Sequence, residues 1–249
     1  MNPTAFTIFG IGIKWYAIII TSAMMLGIYL TMKTSEKQGF VADHLLDLAL
    51  VAIPCAIICA RAYYVIFNFS TYDSFIDMIN IRLGGMAIHG GLIGGFIGGY
   101  IVAKRKNMNV LKVMDIISPY LILAQGIGRW GNFINQEAHG GPTNMPWGIM
   151  VDGVRVHPTF LYESIWDVAV CIVLLKLSKN KKFDGVITAL YMILYSIGRF
   201  FIEGLRTDSL MIGPLRTAQL VSIAMACLGI FIIYKNKDRG ILPAYNEEI

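Results

Sequence analysis

Three runs of this chain contain no aspartate, glutamate, lysine or arginine at all: Trp15 to Met32, Leu83 to Ala103 and Thr217 to Tyr234. Each is long enough to cross a hydrocarbon layer of roughly 30 Å as a helix. Four further stretches are nearly as apolar but carry ionisable groups: about 45–67 (Asp47, Arg61), 109–127 (Lys112, Asp115), 159–177 (Glu163, Asp167, Lys176) and 185–203 (Arg199, Glu203). The pattern predicts an all-α integral membrane protein with seven transmembrane helices, at about 15–32, 45–67, 83–103, 109–127, 159–177, 185–203 and 217–234, forming one polytopic domain over residues 1–249. A composition of 56% hydrophobic and 15% charged residues fits that class and excludes an ordinary soluble domain.

The cations set an orientation. Lys33 and Lys37, Lys104 to Lys106 with Lys112, Lys176 to Lys182, and Lys235 to Arg239 fall on one side of the seven-span arrangement and are almost all lysines. Lys14 and the arginines Arg61, Arg82, Arg129, Arg155, Arg199, Arg206 and Arg216 fall on the other. The positive-inside rule then puts the N-terminus outside and the C-terminus in the cytoplasm. Lysine serves well as a solvated charge, whereas arginine offers a rigid fork matched to carboxylate and phosphate. The outer side is therefore the one equipped to hold an anion. The net charge of +5 is read as topology and contact with anionic lipid heads, with no nucleic-acid partner. Lys14 followed by an uncharged run suits an uncleaved first helix better than a signal peptide. Cys55, Cys59, Cys171 and Cys227 lie in apolar stretches without CxxC or HExxH spacing, which predicts free thiols and no metal site.

Against this apolar background one segment is dense in polar groups: Gly128-Arg129-Trp130-Gly131-Asn132-Phe133-Ile134-Asn135-Gln136-Glu137-Ala138-His139-Gly140-Gly141-Pro142-Thr143. It opens the longer of two outer segments, 128–158, the other being 68–82. Trp15, Tyr16, Tyr63, Tyr64, Trp130 and Trp147 suit the interfacial belt. In the third span Gly90, Gly94 and Gly98 recur every four residues, as do Gly91, Gly95 and Gly99, a double stripe that lets a neighbouring helix or a lipid chain approach the backbone. His89 is the one histidine of that span, and desolvation there favours the neutral, basic imidazole. A structural histidine is the alternative. In the sixth span Arg199, Glu203 and Arg206, spaced i, i+4 and i+7, share a helical face, and a charged face at membrane depth must point into the bundle or a wet cavity. An internal ion-pair network is the alternative there. Asp115, Glu163 and Asp167 are candidate partners of Arg61 or Lys112 in helix packing, and Gln219 reads as structural.

Together Arg129, Arg199 and Arg206, with Glu137, Glu203, His89, Asn132 and Asn135, suit a phospholipid head group. Guanidinium forks bind phosphate, and the two asparagine amides suit glycerol hydroxyls. The segments His89-Gly90-Gly91-Leu92-Ile93-Gly94, Gly128 to Glu137 with Gly140 and Pro142-Thr143, His157-Pro158-Thr159 with Leu161-Tyr162-Glu163, and Arg199-Phe200 with Glu203 and Arg206 closely resemble the phosphatidylglycerol:prolipoprotein diacylglyceryl transferases. The likeness runs from Trp15-Tyr16 to Gln219, with Gly204-Leu205 standing where two bulky aromatics are expected. It implies a multi-pass enzyme of the bacterial plasma membrane, active toward the outer leaflet. Such an enzyme moves the diacylglyceryl unit of phosphatidylglycerol onto the lipobox cysteine of a preprolipoprotein signal peptide and releases glycerol phosphate, without a cofactor. It also implies catalytic roles for His89, Arg129 and Arg199. Substrate binding would fall to Arg129, Asn132, Asn135, Glu137, Gly140, Tyr16, Glu203 and Arg206. Two other classes compete: a lipid or anion transporter with an arginine gate, and a bundle that binds phospholipid without chemistry. A transporter would carry comparable charge clusters at both faces, and a binder needs phosphate ligands but no base such as His89.

Overall fold

A computed structural model describes residues 3–72, 74–81, 84–207, 209 and 211–241. Arg82 and Leu83, the latter the expected start of the third span, lie outside the described residues. The chain forms two compact units, one from Met1–Thr31 with Met114–Leu242 and the other built on Met32–Val113.

Seven long helices and one short one occur among the described residues: α1 (Trp15–Glu36), α2 (Ala42–Phe67), α3 (Phe75–Ile79), α4 (Ile88–Arg105), α5 (Val110–Asn135), α6 (Thr159–Ser178), α7 (Val186–Glu203) and α8 (Thr217–Asn236). Each expected span overlaps one of the long helices, although α4 begins only at Ile88, with residues 84–87 outside it. Five of these, α1, α2, α5, α7 and α8, are long and apolar enough to cross a membrane by length and composition. The other two are diluted, α4 by its six glycines and α6 by Glu163, Asp167 and Lys176. Large apolar side chains such as Ile165 (61% exposed) and Phe201 (70%) cover the outward helix faces, which suits lipid and not water.

In the first unit the core is the seam of α5, α6 and α7, where Ile122, Val170, Cys171, Leu174, Ile187 and Tyr191 are buried together. Glycines set the close approaches at its margins. A Cβ on Gly131 would meet the Tyr16 ring of α1, one on Gly126 would stand 3.0 Å from Asp167 Cβ of α6, and one on Gly229 of α8 would stand 2.7 Å from the Ala189 carbonyl oxygen. Three antiparallel hairpins punctuate this unit: β1 (Thr4–Ile8) with β2 (Ile11–Lys14), β3 (Ile149–Val151) with β4 (Val154–Val156), and β5 (Met211–Ile212) with β6 (Leu215–Arg216). The β3–β4 turn is Asp152-Gly153, with φ of 48° and 79°, the left-handed pair that a two-residue hairpin requires. These hairpins went unread in the sequence because each is only two to five residues per strand.

Asp115 departs from expectation. It pairs with neither Arg61 nor Lys112: its Oδ1 accepts from the Thr188 amide (2.9 Å) and hydroxyl (3.0 Å), and its Oδ2 from the Gly185 amide (2.9 Å) and Lys181 Nζ (3.0 Å). A carboxylate from α5 thus caps the N-terminus of α7, whose first amides have no helical partner of their own.

The second unit is held by the glycine stripe of α4 against α2. A Cβ on Gly90 or Gly94 would run into the carbonyl oxygens of Cys59 and Cys55, so only glycine permits this spacing. Lys106 and Asp47 close the pair at 2.6 Å. At the other end Arg61 is buried, with no carboxylate partner among the described residues. Its guanidinium instead donates to the backbone carbonyls of Met78 (2.8 Å), Asp77 (2.6 Å), Gly84 (2.5 Å) and Gly85 (2.9 Å). The Ala87 amide donates to the Ala60 carbonyl (3.0 Å), so the segment leading into α4 is stitched to the end of α2.

Candidate anion-binding site

The polar motif expected to begin an outer loop is instead helical. α5 continues eight residues beyond the expected boundary, to Asn135, so Arg129, Asn132 and Asn135 stand at i, i+3 and i+6. Aromatic packing accounts for the extension. Trp130 and Phe133 both pack on Phe160 at the start of α6, with ring centroids 5.4 and 4.7 Å away, and Trp130 Nε1 donates to Ser164 Oγ at 3.2 Å.

Beyond the helix, residues 136–143 are threaded between β4 and the end of α7. The amides of Gly140 and Gly141 donate to the carbonyls of His157 and Leu205, both at 2.9 Å, and the His157 amide returns a bond to the Gly141 carbonyl at 3.0 Å. Gly140 has no room for a side chain: a Cβ there would stand 2.7 Å from His157 Cβ and 3.0 Å from the Leu205 oxygen. Gln136 and Ala138 adopt positive φ, 54° and 57°, an uncommon state for residues with side chains. Thr159, wholly buried, ties this loop to the first turn of α6 by donating to the Ala138 carbonyl at 2.5 Å.

Three helices, with the turn that follows α7, then deliver an alternating row of charges. Glu163 of α6, 5% exposed, lies between two arginines: its Oε2 pairs with Arg129 Nε of α5 and its Oε1 accepts from Arg199 Nη1 of α7 at 2.8 Å. Arg199 Nη2 pairs with Glu203 Oε2 at 2.7 Å, and Arg206 Nε stands 3.9 Å from that same oxygen. Glu203 also accepts from Ser209 Oγ at 2.6 Å. Arg216 Nη2 donates to the Arg206 carbonyl at 3.0 Å, and Gln219 Nε2 to the Phe200 carbonyl at 3.3 Å, which fixes the exit of α7. Ion pairs buried to this degree cost much desolvation, against which Glu163 has two arginines and Glu203 has Arg199 and Ser209.

The row therefore gathers the predicted Arg129, Arg199, Glu203 and Arg206. It also contains Glu163, which had been weighed only as a packing partner for Arg61 or Lys112. Its signal was its place in the Leu161-Tyr162-Glu163 motif at the start of a span. The neighbouring residues of α6 are anchored as well, with Tyr162 accepting from Trp147 Nε1 (2.8 Å) and Trp166 donating to the Leu194 carbonyl (2.9 Å). Asn132 and Asn135 form a separate group, both donating to Glu137 Oε1, at 3.0 and 3.2 Å. Tyr16 lies against Gly131, two residues from Arg129. His89 belongs to the other unit, where it is the second residue of α4, exposed, with its ring 6.2 Å from that of Tyr63.

Fold and side-chain geometry define a class: a helical membrane protein in which arginines of α5 and α7 flank a buried glutamate of α6. The chain belongs to the prolipoprotein diacylglyceryl transferase family, whose model matches residues 3–235, and it is accordingly a transferase. Proteins named phosphatidylglycerol–prolipoprotein diacylglyceryl transferase are close relatives. That of Clostridioides difficile (strain 630) is 56% identical over 243 residues, covering 96% of this chain and 98% of its own length. That of Finegoldia magna is 52% identical, covering 97% and 98%, and that of Clostridium novyi is 49% identical, covering 96% and 98%.

Proposed function

We propose that this chain transfers the diacylglyceryl group of phosphatidylglycerol to the lipobox cysteine thiol of a preprolipoprotein, forming a thioether and releasing glycerol phosphate. The observation that carries the reading is the pair Arg129 and Arg199, bridged by one buried carboxylate within a member of this family. The reaction is an alkyl transfer. The sulfur forms a bond to the glyceryl carbon, the carbon–oxygen bond to phosphate breaks, and the electron pair leaves with the phosphate oxygen. Charge thus grows on the phosphate as the bond breaks, and guanidinium groups fixed beforehand stabilise that state more than the ground state.

The thiol must lose its proton, since the thiolate is the nucleophile and a free thiol titrates at about 8.5. His89 is the assigned base, supported by its place as the one histidine of α4, in that helix's first turn. A positioned base contributes about 10²- to 10⁴-fold. Asn132, Asn135 and Glu137 form the group assigned to the glycerol hydroxyls. Glu203 and Arg206 extend the anion site, and Gly140 and Tyr16 complete the substrate-facing set. All seven long helices span the plasma membrane as a single domain, with the N-terminus outside, the C-terminus in the cytoplasm and the site toward the outer leaflet. The lysine-rich segments on one side and the arginines on the other support this orientation.

The test is purified protein in phosphatidylglycerol micelles with a lipobox peptide, read by mass spectrometry. A diacylglyceryl adduct that is lost when the peptide cysteine becomes serine supports the reading. Phosphatidylglycerol binding by folded protein without any adduct refutes it.

A further inference from the structure

Glu163 presents a problem that the phosphate clamp alone does not answer. An anion-binding site is weakened by a resident carboxylate, yet Glu163 occupies the space between the two arginines with both oxygens engaged. Its contacts are selective. It takes Arg129 by Nε, leaving the terminal nitrogens of that fork with only a 3.5 Å approach to the Tyr195 hydroxyl among the described residues. It takes Arg199 by Nη1, while Nη2 turns to Glu203. Two guanidinium groups brought together at low dielectric repel, and a carboxylate between them removes that repulsion and fixes both rotamers.

Glu163 is itself held rigidly. Tyr162 before it is tied to Trp147, Ser164 after it to Trp130, and Trp166 to the backbone of α7. The indole of Trp166 lies where a Cβ on Gly198 would stand, so α6 and α7 are in contact directly beside Arg199.

We infer that Glu163 is a positioning residue for the transfer. It acts as the counter-ion that holds the Arg129 and Arg199 forks at a fixed spacing so that their remaining donors meet the phosphate of the lipid together. The inference rests on the phosphatidylglycerol reading above. It has a signed consequence that separates it from a merely structural ion pair. Removing the negative charge makes the site more cationic, so ground-state binding of an anionic lipid holds or tightens. Losing the fixed spacing removes stabilisation of the transition state, so turnover falls. An interaction made only in the transition state shows itself in kcat and not in binding.

The experiment compares wild type, Glu163→Gln and Glu163→Asp in micelles. Short-chain phosphatidylglycerol binding is measured by calorimetry, peptide lipidation by mass spectrometry, and folding by thermal melting. For Glu163→Gln, whose neutral amide cannot pair with both arginines, kcat is expected to fall about 100-fold, the scale of an approximately 1 Å misplacement, with Kd unchanged or lower. Glu163→Asp keeps the charge but is one methylene shorter, and is expected to recover part of the loss. A folded Glu163→Gln protein with wild-type kcat overturns the inference, as does one whose Kd rises in proportion to its loss of activity. If Glu163→Gln does not fold, the folded Glu163→Asp decides: kcat lowered at unchanged Kd supports the inference, and wild-type kcat overturns it. A wild-type control that binds lipid but forms no adduct refutes the functional reading itself, a failure distinct from these.

Discussion

Replacing Arg199 by lysine keeps the positive charge and removes the fork. In the protein Arg199 uses separate nitrogens for two carboxylates on different helices, Nη1 for Glu163 at 2.8 Å and Nη2 for Glu203 at 2.7 Å. A lysine has one nitrogen on a flexible stem and cannot keep both contacts in this geometry. One hydrogen bond between charged groups is lost, costing about 1.5–3 kcal/mol. The bereft carboxylate is not wholly abandoned, since Glu163 retains Arg129 and Glu203 retains Ser209, which places the stability cost toward the lower figure. The catalytic cost is separate. Loss of one preorganised donor to a developing negative charge is worth about 2.7–4 kcal/mol, or 10²- to 10³-fold in kcat. The assay is initial-rate peptide lipidation in phosphatidylglycerol micelles, with thermal melting as the control for folding. Arg199→Lys within threefold of wild-type turnover would show that charge alone suffices and would refute the fork argument.

Three further outcomes are expected. Gly198→Ala should displace the Trp166 indole and part α6 from α7, lowering turnover about tenfold or more despite the better helix propensity of alanine, as read in the same assay. Asp115→Asn should lower the melting temperature, costing about 2–3 kcal/mol because its amide nitrogen would face the Gly185 or Thr188 donor, while activity per folded molecule stays near wild type. Arg61→Ala should speed amide hydrogen exchange locally across residues 74–87, because four backbone carbonyls lose their shared donor, without comparable change in α7.

The helices were legible because hydropathy is a long-range average, and a run such as Thr217 to Tyr234 admits little else. The end of α5 was not. Gly128 and Gly131 read as loop punctuation, yet the glycines are the places where α1 and α5 touch, and the aromatic contact of Trp130 and Phe133 with Phe160 is invisible in sequence order. Arg199 and Glu203 were found because helical spacing places them on one face, whereas Arg206 lies three residues beyond the end of α7, paired with Gly140. Glu163 was weighed as a packing group because its partners lie 34 and 36 positions away on other helices, a pairing that spacing cannot show. Arg61 was misjudged for a different reason. Its partners are carbonyl oxygens, and every residue carries one, so composition gives no sign of which carbonyls will converge.

The central claim is that the carbon–oxygen bond breaks while the arginine pair holds the departing phosphate. Phosphatidylglycerol carrying oxygen-18 in the bridge between the diacylglyceryl carbon and phosphorus tests it most directly. The account predicts that the label leaves with glycerol phosphate while the peptide gains an unlabelled diacylglyceryl thioether. Label retained on a diacylglycerol product would mean that the phosphorus–oxygen bond breaks instead, and would contradict it.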